Sequence, residues 1–219
     1  MARLCVTTKN CVFEGRVYQA GIEILVRKGR AIPSHFKCLD DSTSATPPEP
    51  KFPRCVILGD GPSRLEARQF ALDNEHHADI MGVNRAGLLY PGHLTAWCSR
   101  HGNIFPEWML EWEKLGYPRA EMVSDFIYAY PSVTLWESDL GGGSGEYALA
   151  YALHLGYQRI ILAGFDLGGA DGSGRSYDQY APGFEIQKCD RVRALHGGTR
   201  KIFGLPTKGW FQNIKGDTA

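Results

Sequence analysis

Residues 141–166 read GGGSGEYALAYALHLGYQRIILAGFD, and this stretch decides the fold. Three consecutive glycines, Gly141-Gly142-Gly143, cost backbone entropy that a plain connector has no reason to spend. They lead through Ser144-Gly145 into a helical segment, Glu146 to Leu155, which Gly156 stops. Ala148, Ala150 and Ala152 keep that helix thin enough to lie close to a sheet, and Arg159 to Ala163 is a buried strand that runs out at Asp166. A turn without side chains at a helix start leaves unpaired N–H groups and roughly half a positive charge open to an anion. The expected ligand is a nucleotide or another phosphate.

A second turn of the same kind lies upstream. Gly59-Asp60-Gly61-Pro62-Ser63 follows the strand-like Cys55-Val56-Ile57-Leu58 and precedes a helical stretch, Leu65 to Asn74. Gly-Pro-Ser after a strand is also ordinary turn chemistry, so the phosphate reading rests on the two turns together. Between them, Ile80 to Val83, Leu94 to Cys98 and Val133 to Trp136 read as strands. Pro106 can open a helix in which Trp108, Trp112 and Leu115 recur at helical spacing as core residues, and Gly116 ends it. Strands alternating with helices imply a parallel sheet with right-handed crossovers. Residues 54–205 are therefore expected to form an α/β, Rossmann-like domain with a mostly parallel sheet and helices on both faces.

The flanks differ in character. Residues 1–40 hold short β-like stretches, Leu4 to Thr7, Val12 to Tyr18 and Glu23 to Arg27, and predict a small β-rich module. Residues 41–53 contain Thr-Pro-Pro-Glu-Pro, which continues neither strand nor helix and reads as a linker. In the tail, 206–219, Trp210-Phe211 could dock on its own domain or cover a second subunit of a homo-oligomer, and docking on the domain is expected.

With 219 residues, 43% of them hydrophobic, the chain can bury one main core. Lys+Arg of 24 against Asp+Glu of 24 leaves no basic footprint for nucleic acid, so a small-molecule nucleotide is the expected partner. The six cysteines form no C-x-x-C pair and read as reduced structural thiols. No leader-like apolar core opens the chain, and no apolar run nears the ~18 residues of a membrane span, so a cytoplasmic protein is expected.

In open parallel sheets ligands gather at the C-terminal strand ends, where the strand order reverses. Asp60, Asn84, Ser99 with His101, and Asp166 all fall at such ends. Each taken singly also suits a cap or turn. Arg64 stands where the dinucleotide fingerprint needs glycine, which disfavours an NAD dehydrogenase, and no G-x-x-x-x-G-K-[ST] loop occurs. His76-His77 reads as a solvated loop pair and His154 as a partner of a helix C-terminus.

Gly59 to Ser63, Gly82-Val83-Asn84-Arg85 and the long block Ser144 to Asp166 resemble a superfamily of Rossmann-like transferases. It holds bacterial CMP-sialic-acid sialyltransferases, motility-associated flagellin glycosyltransferases and archaeal-type hydroxymethylpterin pyrophosphokinases. The resemblance implies that Gly59, Asp60, Gly61, Ser63, Asn84, Gly143, Ser144 and Gly145 line a nucleotide site, that Asp166 is the strand-end acid, and that Tyr177 contacts the leaving phosphate. Asp60 stands where the sialyltransferases carry asparagine, and this charge suits a Mg²⁺ ion held by Asp60 and Asp166. A second phosphate tyrosine of that family has Gly168 at its place. His101, by its strand end, and His196, by its downstream position, are the candidate bases.

The implied activity is transfer from a CMP-sugar donor of the sialic-acid type. The alternatives are a Mg-ATP pyrophosphokinase and a non-catalytic nucleotide-binding or phage structural protein. Lys9 to Tyr18 followed by Pro33-Ser34-His35-Phe36 resembles small modules of tailed-phage proteins, which implies a bacteriophage origin, action in the host cytoplasm, or association with the virion.

Overall fold

The computed structural model describes residues 3–7, 11–13, 16–18, 23–26, 36–38, 50–101, 104–117, 120–125, 133–136, 142–168, 178–207 and 209–211. Five short strands come first: β1 (Arg3–Thr7), β2 (Cys11–Phe13), β3 (Arg16–Tyr18), β4 (Glu23–Val26) and β5 (Phe36–Cys38). β1 pairs antiparallel with β4 on one side and β5 on the other, while β2 and β3 pair with each other. The single strand expected over Val12 to Tyr18 is thus two, because Phe13 pairs with Arg16 across a two-residue spacing typical of hairpins.

The main sheet follows the alternation seen in the sequence. Its elements are β6 (Arg54–Leu58), α1 (Arg64–Asn74), β7 (Asp79–Val83), α2 (Arg85–Leu88), β8 (Ala96–Cys98), α3 (Phe105–Lys114), β9 (Glu121–Ser124), β10 (Val133–Leu135), α4 (Ser144–His154) and β11 (Arg159–Ala163). A 3₁₀ turn at Asp178–Tyr180, α5 (Ala181–Ile186), β12 (Val192–Ala194) and α6 (Gly197–Phe203) complete it. The seven strands lie in the order β10-β9-β8-β7-β6-β11-β12, and every pair is parallel. The protein has the expected α/β, Rossmann-like architecture. The chain lays down β6 to β10 in one direction and then returns to the other side of β6 for β11, so strand order reverses between β6 and β11.

That reversal sends the helices to opposite faces, as crossovers of one hand require. Cys55 and Ile57 of β6 and Ile160 and Leu162 of β11 share one core with Tyr147, Ala148, Tyr151 and Ala152 of α4, Phe184 of α5 and Phe203 of α6. The alternate residues, Val56, Leu58, Ile161 and Ala163, join the opposite core with Ala67 and Ala71 of α1 and with Trp97 and Trp112. Strands covered on both faces must be apolar at every position, which is why these segments read as continuous hydrophobic runs. Ala148 and Ala152, one helical turn apart, are the alanines that let α4 approach the sheet, whereas Ala150 is only half-buried. Gly156 ends α4 at φ +87, a conformation closed to most side chains. In α3, Trp112 is buried as expected, but Leu115, which caps the helix C-terminus, is 52% exposed and outside the core.

Two polar anchors hold the end of the sheet away from the strand C-termini. Asp79 is buried and accepts hydrogen bonds from the Tyr157 hydroxyl (2.9 Å), the Thr95 hydroxyl (3.0 Å) and the Phe52 N–H (3.2 Å). Arg54 Nε donates to the Phe211 carbonyl at 2.7 Å, and the Trp210 ring lies 5.0 Å from the Arg159 guanidinium and 4.9 Å from that of Arg193. The described part of the tail therefore docks on its own domain. Among the described residues, no helix is long and apolar enough to cross a membrane.

Candidate functional site

At the C-terminal ends of β6, β7, β8 and β11 the loops enclose a cleft of about 730 Å³, of the size that holds a nucleotide-class ligand. A separate depression beside Asp60, Arg64 and Arg68 has about 10 Å³, room for one water-sized sphere. Gly59, Asp60, Gly61, Asn84, His101, Gly143, Ser144, Gly145 and Asp166 all line the large cleft. Residues more than 80 positions apart in the sequence thus converge because the strand order reverses beside them. Tyr177 and Gly141 lie outside the described residues. Ser63 and His196 are described but do not line the cleft.

The two glycine turns are built differently. Gly59 N–H donates to the Ala163 carbonyl at 2.8 Å and Gly61 N–H to the Gly164 carbonyl at 2.9 Å, so the β6 turn lies directly on the β11 turn. Asp166 Oδ2 accepts from both the N–H (3.0 Å) and the hydroxyl (2.8 Å) of Ser63, the residue that precedes α1. The positive end of α1 is thereby matched by the protein's own carboxylate. Gly198 N–H in turn binds the Asp166 carbonyl, and the Thr199 hydroxyl donates to the Phe165 carbonyl at 2.6 Å, so α6 fixes the Asp166 loop from the far side.

At α4, the Gly143 N–H donates to Glu146 Oε2 at 2.6 Å. Glu146 is 2% exposed, and burial raises its carboxyl above the ordinary range, partly offset by hydrogen bonds from backbone N–H groups and by the Arg100 charge. Ser144 and Gly145, the first two helical residues, present N–H groups that have no acceptor within the helix. Arg100 joins this turn to the sheet. Its backbone N–H donates to Ser144 Oγ (2.9 Å), its guanidinium donates to the Gly142 carbonyl (2.8 Å) and pairs with Asp125 (2.7 Å). Arg100 falls at the same strand end as Ser99 and His101, and an arginine there carries no distinguishing signal in the sequence.

Asn84 carries the clearest backbone signature. It adopts φ 50 and ψ −130, a sparsely populated region for a residue with a side chain, at a cost of about 1–3 kcal/mol. Its N–H and C=O are held by the Cys98 carbonyl and the Trp97 indole, and its Oδ1 accepts from the Ser99 hydroxyl at 2.9 Å. This arrangement commits the carbonyl side and leaves the amide N–H₂ as the group Asn84 can offer a ligand. Ile104, Trp108, Phe165 and Tyr180 add apolar surface to the same cleft.

His101 is exposed at the cleft, whereas His196 sits outside it, with Nε2 3.2 Å from the exposed Glu66 carboxylate of α1 and Nδ1 buried with no hydrogen-bond partner among the described residues. The two candidate bases are therefore not brought together. For Mg²⁺, the donor set is thin. Asp166 spends one carboxylate oxygen on Ser63, and among the described residues no group of three or more His, Cys, Asp or Glu side chains could hold a metal ion.

No family model matches the chain, and no curated protein matches it. Among solved structures, the MAf glycosyltransferase from Magnetospirillum magneticum AMB-1 is similar to it over 57% of this chain, at 18% identity and a TM-score of 0.43. The chain spans 24% of that protein's length.

Proposed function

We propose that the cleft binds a nucleotide-sugar of the CMP type and that the protein transfers the sugar to an acceptor hydroxyl. The observation that carries this reading is the convergence, at the reversal of strand order, of the α4 start with the strained Asn84. The N–H groups of Ser144 and Gly145, which have no acceptor within the helix, would receive the donor phosphate, and the Asn84 amide would hydrogen-bond the nucleotide. As the bond between the anomeric carbon and the phosphate oxygen breaks, the oxygen keeps the electron pair, and fixed N–H donors at a helix start stabilise that charge. His101 stands where it could take the proton from the attacking hydroxyl. Tyr177 would assist at the leaving phosphate, as the sequence resemblance implies.

Isothermal titration of the protein with CMP, a CMP-sugar, and ATP with and without Mg²⁺ tests the reading. Tighter binding of CMP and CMP-sugar than of ATP is expected. Binding of ATP alone, and only with Mg²⁺, would instead favour the pyrophosphokinase reading, and binding of none would favour a non-catalytic protein.

A further inference from the structure

The charged residues at the strand ends of the cleft are sorted by strand. The order β8-β7-β6-β11 puts Arg100 and His101 after β8, Arg85 after β7, Asp60 after β6 and Asp166 after β11. Basic groups therefore stand at two adjacent strand ends and carboxylates at the next two. The start of α4 lies on the basic side, since the Arg100 N–H donates to Ser144 Oγ at 2.9 Å. Glu146 also lines the cleft, but from within α4, where it is buried and accepts from the Gly143 N–H. A ligand with more than one anionic group is drawn to the β7–β8 half, because Asp60 and Asp166 repel it from the other.

Most of these charges are already committed within the protein. The Arg100 guanidinium donates to the Gly142 carbonyl and pairs with Asp125, Asp166 accepts from Ser63, and Asp60 lies 3.8 Å from Arg64. His101 is the candidate base and acts uncharged. Arg85 differs. It is exposed and lines the cleft directly after the strained Asn84, and its side chain has no hydrogen bond or ion pair among the described residues. The Asn84 backbone is held by the Cys98 carbonyl and the Trp97 indole, so the point from which Arg85 reaches out is fixed. Its guanidinium offers five N–H donors in a planar fork that matches a carboxylate or a phosphate.

We propose that Arg85 receives a second anionic group of the ligand, a carboxylate or a further phosphate, beyond the phosphate placed at α4. The assignment rests on the phosphate reading of the cleft and narrows its substrate class. The donor is then a nucleotide bearing two separate anionic groups, such as an acidic sugar on one phosphate, and not a neutral sugar on a single phosphate. Arg85 is the residue that tells the two apart.

Isothermal titration of the full chain and of Arg85→Gln with CMP, CDP and CMP-sialic acid tests this. A charge-assisted contact at an exposed arginine is worth about tenfold in affinity. Arg85→Gln should lower the affinity for CDP, for CMP-sialic acid or for both by about that factor, and the affinity for CMP by much less. A loss confined to CDP identifies the second group as a phosphate, and one confined to CMP-sialic acid identifies it as the sugar carboxylate. Arg68→Gln removes a cation that does not line the cleft and should leave all three affinities near wild type. An equal loss for all three ligands, no loss for any, or the same pattern in Arg68→Gln would overturn the assignment. If no cytidine ligand binds the wild type, the cytidine reading fails, and the comparison of ADP with AMP then decides Arg85 by the same criterion. Binding of none of the five would overturn both.

Discussion

The two glycine-rich turns look alike in sequence and do opposite work. At the first, a Cβ on Gly59 would stand 2.6 Å from the Gly164 carbonyl oxygen, and one on Gly164 would collide with the Gly59 carbonyl. Gly61 has the Asp166 carboxylate against it in the same way. These glycines let two neighbouring strand ends join without side chains between them, and Asp166 already matches the positive end of α1. At the second turn, a Cβ on Gly143 would meet the Glu146 carboxylate at 2.9 Å, so glycine there makes room for a capping side chain, while Ser144 and Gly145 open the helix at the cleft wall. Glycine content alone does not mark a phosphate site. What marks the second turn is that its helix start lines the cleft, as Gly143, Ser144 and Gly145 do and Ser63 and Leu65 do not.

The largest effect should come from attacking the first turn. Gly59→Ala forces a methyl group onto a backbone carbonyl, which cannot swing away as a side chain would. A loss of about 3 kcal/mol in urea unfolding is expected, at the upper end for overpacking. Donor affinity of the folded fraction should be little changed. Wild-type stability with lost affinity would reverse the assignment of the two turns. The same clash logic applies to Gly145, where a Cβ would lie 2.7 Å from the Phe165 ring and 3.1 Å from Phe184. A bulky residue there disturbs the core as well as the cleft, so Gly145→Val cannot separate binding from folding.

A smaller effect, and a sharper one, belongs to Glu146. Its carboxyl titrates above its ordinary value of 4.5 because burial disfavours the charge. An acid with a raised folded pKa binds more protons folded than unfolded, so stability falls as pH rises from about the unfolded value through the folded one, then stays level. Glu121 is shifted upward by burial as well, so only the difference between wild type and Glu146→Gln isolates the residue. Plotted against pH, that difference should change across the window above 4.5. Removing the negative charge from the α4 start should also tighten a phosphate-bearing ligand several-fold at neutral pH. An unchanged affinity would mean that the phosphate does not bind at α4.

The sequence made the architecture legible where strands are buried on both faces. Cys55 to Leu58 and Ile160 to Ala163 are continuous apolar runs, and the glycine stop at Gly156 separates helix from strand without ambiguity. It hid β9 and β12, because these runs are only four and three residues long, with Glu121 opening the first and Arg193 in the middle of the second. The cleft was legible as a set of strand ends. The side-chain pairings within it were not, since Ser63 meets Asp166 across 103 positions and Arg100 meets Gly142 across 42. Residue types announce what a segment can become, whereas partners depend on a register that only the assembled sheet provides.

The smallest structural effect is expected from the two histidines, and it bears on which side of the joint the chemistry lies. His196 faces α1 and pairs with a Glu66 side chain that is 77% exposed, a contact worth less than about 1 kcal/mol. His196→Ala should therefore change stability slightly and leave both donor binding and transfer at wild-type levels. His101 lines the cleft above β8, in the loop whose Arg100 holds the α4 start. A positioned base contributes about 10²–10⁴-fold to a proton transfer. His101→Ala should lower the transfer rate within that range while donor affinity stays within a few-fold, because the phosphate donors belong to α4 and not to this side chain. Measured by CMP release with and without acceptor, equal rates for wild type and His101→Ala would remove the base from the β8 side. Loss of activity in His196→Ala alone would move it to the side of the first turn, where the protein has otherwise satisfied its own charges.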